Sequence, residues 1–249
     1  MAHETAVVTG GGTGIGRSIC HALADRGLAV IAVGRRKEHL EETRAHAPDR
    51  ITALAADVSD PMGRDAVVKA VGDGKLRCLV HNAGTLEPVG PLERVRLSEW
   101  RASQAVNVEA PLFLTQALLP VLPGGRVLHI SSGAAHDGYP GWGAYCVGKA
   151  GLHMLYRVLA QELADRGIGV GSMRPGVVDT PMQALIRQQT EADFPLVEQF
   201  RKLKQEGGLE EPAVIAAFTA WLLLETTAED FIREEWNYND SSHRSRWQR

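Results

Sequence analysis

Tyr145 and Lys149 lie four positions apart in the stretch AYCVGK, just after the glycine-rich run 138–143, GYPGWG. On a helix, positions i and i+4 share a face, so this phenol and ammonium can enter one cleft. A free phenol titrates near 10, and bringing it to about 7 takes roughly 4 kcal/mol of preference for phenolate. One ammonium at about 4 Å supplies about that much at an effective dielectric near 20. The pair is therefore sufficient in magnitude for general acid–base work on a carbonyl. The competing reading is a helix whose first turn merely carries one aromatic and one basic residue.

A second chemical signal is the run TGGGTGIG, Thr9 to Gly16, between an apolar stretch and a helical one. Glycines allow a tight turn and close approach of backbone to a phosphate. The helix that follows offers free N–H groups and the positive end of its dipole. Gly10, Gly12, Thr13, Gly14, Ile15 and Gly16 are thus candidate dinucleotide contacts. The spacing Gly10-x-x-x-Gly14-x-Gly16 differs from the GxGxxG of other dinucleotide folds.

Elements that could position such groups recur along the whole chain. Short apolar runs at 5–9, 28–33, 51–56, 76–80, 126–130 and 168–173 read as buried strands. Helical patterns at 14–26, 36–46, 60–72, 98–120 and 145–166 separate them. This alternation predicts a single-domain, doubly wound parallel sheet of Rossmann type, residues 1–249, with helices on both faces and ligands at the strands' carboxyl ends. Residues 181–208 read as a polar–apolar helical stretch that covers the substrate, and Glu211-Pro212 opens another apolar helix. The basic ending SSHRSRWQR reads as a solvated, frayed tail, the alternative being a segment docked on a partner subunit.

Six segments, in order, resemble the short-chain dehydrogenase/reductase family: TGGGTGIG, HNAG at 81–84, Asn107 in AVNVEAP, HISS at 129–132, AYCVGK, and RPGVVDT at 174–180. The match covers about residues 5–180. The resemblance implies that Tyr145 donates a proton to a carbonyl while Lys149 lowers its pKa. Ser132, thirteen residues before Tyr145, is implied to hydrogen-bond the substrate oxygen and stabilise the developing alkoxide. Neighbouring Ser131 is read as backbone support. Asn107 matches the family asparagine that holds a helix kink and a water linking the lysine to solvent.

The same resemblance places Asp57 and Val58 at the adenine, Asn82, Ala83 and Gly84 along the cofactor, and Pro175, Gly176, Val178 and Thr180 at the nicotinamide. The competing role for Asp57 is a helix N-cap, which Ser59 could fill equally well. The family's usual first asparagine is His81 here, read as a strand-end histidine bonding the backbone. The acid that selects NAD in other members is replaced by Gly34. Arg35, with Arg36, is placed to grip a 2′-phosphate, so the expected cofactor is NADP(H). A basic residue that many NADP-using members carry in the glycine loop is Thr13.

Within the family the segments 145–163 and 175–189 look closest to the sepiapterin reductase and benzil reductase group. The carboxylate that anchors a pterin in the former falls on Asn237, and the usual paired glycine near the end is absent. A hydrophobic ketone or diketone therefore fits better. Tyr139, Trp142 and Met182, with Leu185 and Phe194, are candidate apolar walls, or ordinary core. Two other readings remain open: an alcohol dehydrogenase working oxidatively, and a dinucleotide sensor without turnover.

Composition narrows the classes. With 249 residues, 44% hydrophobic and 23% charged, the chain is long enough for a sizeable core. A net charge of −3 gives no reason to expect nucleic acid or acidic membranes as partners. A first strand near Thr5 leaves no room for a secretory signal peptide, and the apolar runs are too short to span a bilayer. Cys20, Cys78 and Cys146 suggest free thiols in a reducing, cytoplasmic setting. No HxxxH or Cys/His cluster appears, so no metal centre is expected. Helices at 98–120 and 145–166 apolar on more than one face, the latter with a stripe of Val147, Gly151, Met154, Leu155, Val158 and Leu159 and with Leu152 and Tyr156 off it, predict a homodimer or homotetramer.

Overall fold

Strands that are apolar at every position must be covered on both sides. In the computed structural model, which describes residues 4–248, the central strands are, whereas the edge strand at 51–55 leaves Thr52 and Ala55 exposed. The chain runs β1 (Thr5–Thr9), α1 (Gly14–Asp25), β2 (Ala29–Gly34), α2 (Lys37–Ala45), β3 (Ile51–Ala55), α3 (Pro61–Val71) and β4 (Leu76–His81). It continues through α4 (Leu97–Gln104), α5 (Ala110–Leu118), β5 (Arg126–Ile130), α6 (Gly143–Glu162) and β6 (Gly169–Arg174). Beyond these come α7 (Pro181–Arg187), α8 (Val197–Gln205), α9 (Pro212–Leu224), α10 (Ala228–Ile232), β7 (Trp236–Asn237) and α11 (Ser241–Trp247).

The seven strands form one sheet in the order β3-β2-β1-β4-β5-β6-β7, every pair parallel. Successive side chains on a strand alternate faces, and each face has its own core. Ala6, Val8, Val30, Ala32, Cys78, Val80, Leu128 and Met173 pack with α1 and α9. Val7, Ile31, Val33, Leu79, Val127 and Val170 pack with residues of α3, α5 and α6 on the other side. The chain order reverses between β1 and β4, which opens a crevice at their carboxyl ends. Everything proposed for the cofactor depends on that crevice.

Three sequence expectations are corrected. The single helix expected at 98–120 is two helices joined by a π-helical turn, Ala105–Glu109. There the Asn107 side chain bonds the backbone of Thr85 in both directions, donating to its carbonyl at 2.9 Å and accepting from its N–H at 3.1 Å. The covering stretch 181–208 is likewise split into α7 and α8. Thr190 and Asp193 close a side-chain turn between them, and Pro195 follows.

The basic ending is not frayed. Asp240 caps α11 by accepting from Ser242 N at 2.8 Å, and buried His243 accepts from Asn237 N at 2.9 Å. Arg246 pairs with Asp230 at 2.7 Å and lies over the Trp236 ring. Arg249 lies outside the described residues. No described helix is long and apolar enough to cross a membrane.

Candidate active site

One cleft of about 1000 Å³ runs along the carboxyl ends of the strands, at the upper end of small-molecule sites. Its floor is the glycine loop. Gly10 has φ +67°, a left-handed conformation open to glycine. A Cβ on Gly16 would collide with the Gly10 carbonyl and the Asn82 amide. Asn82 braces this loop from β4, donating to Thr9 O at 2.9 Å. The Thr9 hydroxyl accepts from the backbone N–H groups of Asn82 and Ala83, both at 3.0 Å. Thr13, the N-cap of α1, makes no side-chain cap, so the first N–H groups of that helix remain open to an anion. The cradle therefore fits a dinucleotide pyrophosphate.

Gly12, Thr13, Gly14 and Ile15 also line the cleft, as do Arg35, Arg36, Asp57, Val58, Ala83, Gly84, Pro175, Gly176, Val178 and Thr180. Arg35 and Arg36 are exposed at the end of β2, and neither forms an ion pair among the described residues. Asp57 does not cap α3. Its Oδ1 accepts from Ser59 N and Oγ at 3.0 and 2.7 Å, while Asp60 supplies the cap by accepting from Met62 N at 2.9 Å.

Ser132, Tyr145 and Lys149 meet on the same wall. Ser132 lies two residues beyond β5 and its hydroxyl accepts from Ala134 N at 3.2 Å, fixing the turn that follows. Lys149 is buried, lies 5.7 Å from the centre of the Tyr145 ring, and donates to Ile130 O at 2.8 Å. Burial pulls its ammonium down to about 8. Burial also dominates at Tyr145 and pushes the phenol up to about 12, opposed by the Ser132 hydroxyl. Burial thus opposes the lowering that the pair was expected to give. Both groups are desolvated, and the ammonium is held by a carbonyl.

Asn107 is buried behind the cleft rather than in its wall. A Cβ on Gly84 would meet Asn107 Oδ1 at 3.2 Å and Lys149 Nζ at 3.6 Å, so the two side chains converge there. His81 bonds the Thr115 hydroxyl at 2.8 Å instead of backbone. Burial, with His129 beside it, holds its imidazole well below its ordinary pKa.

The opposite end of the cleft is aromatic. Trp142 stacks on Phe194 at 4.4 Å between ring centres and contacts Tyr139, Phe200 and Tyr145 at 5.2, 5.3 and 6.1 Å. Tyr139, Trp142 and Met182 line the cleft, whereas Leu185 and fully buried Phe194 do not. Phe194 supports the wall from behind.

Sequence reasoning missed several lining residues, among them His39, Gln183, Phe200, Arg174 and Asn239. Phe200 belongs to the apolar set of 181–208, which was the available signal. Arg174 adjoins the recognised Pro175-Gly176. Asn237 does reach the cleft, but its side-chain carbonyl accepts from Asn239 N at 3.1 Å.

The comparisons with known proteins agree with this geometry. The short chain dehydrogenase family model matches residues 4–191, and the chain belongs to that family of NAD(P)(H)-binding oxidoreductases. Among its relatives are benzil reductases that form (S)-benzoin. That of Bacillus subtilis is 32% identical, with 91% of this chain and 96% of the relative covered. That of Bacillus cereus is 31% identical, covering 84% and 90%.

Among solved structures, a short-chain dehydrogenase/reductase of Saccharomyces cerevisiae superposes with a TM-score of 0.89 at 29% identity, over 97% of this chain and 98% of that one. A dehydrogenase from Beutenbergia cavernae with bound NADP is 31% identical, TM-score 0.78, covering 95% of each chain. A 3-ketoacyl-(acyl-carrier-protein) reductase from Brucella melitensis with NADH is 26% identical, TM-score 0.80, covering 94% and 96%. The relatives support carbonyl reduction in general.

Proposed function

We propose that the protein reduces a hydrophobic ketone or vicinal diketone with NADPH, Tyr145 giving the proton. The observation that carries this reading is the meeting of an aromatic wall (Tyr139, Trp142, Phe200) with Ser132, Tyr145 and Lys149 beside the glycine cradle. The nicotinamide, when bound, supplies the hydride. Ser132 donates a hydrogen bond to the carbonyl oxygen, and Tyr145 transfers its phenolic proton to that oxygen as charge develops. Lys149 keeps a positive charge behind the phenol and favours the phenolate left after transfer. Asn107 holds the π-helical turn against Thr85 and so fixes the helix beside Lys149.

NADPH is preferred over NADH in this reading because Gly34 leaves space for a 2′-phosphate and the unpaired Arg35 and Arg36 stand beside it. Residues 181–208 act as the substrate cover of one catalytic domain. The face carrying Val147, Met154 and Val158, 48, 51 and 41% exposed, supports a two-fold dimer or a tetramer of dimers. Leu159, expected on that face, is buried against the sheet instead. A monomeric mass by light scattering at micromolar concentration would contradict that assembly. A cytoplasmic location suits three unpaired cysteines.

The decisive assay is NADPH consumption with diketones, aromatic ketones, quinones and pterins. Turnover strongest with aromatic diketones is expected. Tight dinucleotide binding with no consumption across the panel would favour a sensor instead.

A further inference from the structure

The last strand delivers a carboxylate to a point that no motif marks. Glu235, immediately before β7, has a side chain 9% exposed. His136 Nε2 lies 2.6 Å from its Oε2, and Arg174 Nε lies 3.2 Å from the same oxygen. The Ser172 hydroxyl donates to Oε1 at 2.8 Å, and His153 Nδ1 lies 3.2 Å from Oε1. Ser131 turns its hydroxyl toward the same carboxylate without closing a well-aligned hydrogen bond. Burial opposes the charge on Glu235, but Ser172, Ser131 and His153 outweigh it and hold the carboxyl below its ordinary range.

The partners sit on three different pieces of the proposed machinery. His136 ends the turn Gly133–Ala135 that Ser132 caps. His153 is one helical turn beyond Lys149 on α6. Ser172 and Arg174 close β6 just before Pro175-Gly176.

We propose that Glu235 is a positioning residue, which ties the Ser132 turn, the Lys149 helix and the end of β6 to one carboxylate. This rests on the reductase reading above. Two imidazoles and a carboxylate are also metal-ligand types, and their donor atoms lie within 4.8 Å of one another. The distances favour hydrogen bonding. A separation of 2.6 Å is shorter than the roughly 3.3 Å between neighbouring ligands around tetrahedral zinc. Arg174 already balances the carboxylate's charge. The mutual spacing of Ser132 and Lys149 sets how the carbonyl meets its proton donor, and displacements of about 1 Å at such sites cost up to ~100-fold in rate.

The test uses the full chain with Glu235→Gln, Glu235→Ala and Ser172→Ala. Three quantities are read: kcat and KM for the best ketone, NADPH affinity by fluorescence, and amide hydrogen exchange across residues 131–137. Glu235→Gln should lower kcat about tenfold, with KM and NADPH affinity within about threefold, and should speed exchange in that segment. Ser172→Ala should do the same about threefold.

Unchanged kcat per folded molecule with only a lower Tm would overturn the proposal, leaving a plain stabilising contact. So would a rise in Tm on adding zinc that His153→Ala abolishes, because the cluster would then be a metal site. If both Glu235 variants fail to fold, Ser172→Ala decides by the same measures. Exchange needs no substrate, so a protein that consumes no ketone sinks the reductase reading while the exchange result still judges Glu235. Unchanged exchange overturns the proposal.

Discussion

The two ends of the cleft are built by different means. At the cofactor end the surface is mostly backbone: the Gly10–Gly16 loop, the open N-terminus of α1, and Thr9 and Asn82 bonding main-chain groups. At the aromatic end it is side chains resting on side chains, with Trp142, Phe194 and Phe200 in mutual ring contact. A backbone surface tolerates almost no change of residue type, because the absence of a Cβ is what shapes it. An aromatic wall accepts many sequences of similar volume. The first end therefore serves one ligand class, while the second can be retuned.

The largest effect should fall where the two ends meet. Tyr145→Phe should lower kcat/KM about 10³-fold with NADPH affinity nearly unchanged, since only the proton donor is lost. Survival of more than about a tenth of the activity would refute the assigned role. Gly16→Val tests the backbone end. It should weaken NADPH binding by roughly 10- to 100-fold, because the new side chain must displace the Gly10 carbonyl or Asn82. Titration by fluorescence quenching reads this directly, and unchanged affinity would mean that the cradle is not the binding site.

Arg35→Asp should reverse a roughly ten- to hundred-fold preference for NADPH over NADH. Equal binding of both cofactors by the unmodified protein would remove Arg35 from the argument. The pH profile follows from Lys149, whose ammonium persists below about 8 and is lost above it. The kcat/KM of the free enzyme should be flat below that value and fall up to about tenfold per unit above it. A flat profile to pH 10 would show that the charge is not used. The smallest effect is expected at the aromatic end. Phe200→Ala should raise KM for an aromatic diketone about three- to tenfold and leave that of a small aliphatic ketone unchanged. Equal shifts for both would indicate general loosening of the cover.

The same contrast explains what could be read from the amino-acid sequence. Strands Thr5–Thr9 and Arg126–Ile130 were visible to the residue, because burial on both faces leaves short runs dominated by Val, Leu, Ile and Ala. The cradle was visible because glycine is required where a Cβ would collide. Phe200 and Gln183 were not, since an apolar or amide residue on a helix looks the same facing core, solvent or cleft. The two-residue strand β7 and the helix α11 were missed for another reason. Both are held by contacts distant in sequence, such as Arg246 with Asp230 and Trp236, and neither is long enough to show a period. The desolvation of Tyr145 and Lys149 also escaped, because their spacing is local but their burial comes from the whole fold.

The strand order has a consequence for how the molecule reaches its native state. Strand β1 can pair with β2 as soon as the short crossover through α1 forms, with Thr5 opposite Ala29. Its other neighbour is β4, and the contact of Asn82 with Thr9 joins residues 73 apart. Closing that long loop costs entropy before any contact rewards it, which makes the β1–β4 seam a late event in assembly. The seam is also the crevice. A dinucleotide lying across it would bind only after the two halves have met, so it would brake unfolding much more than it would hasten refolding.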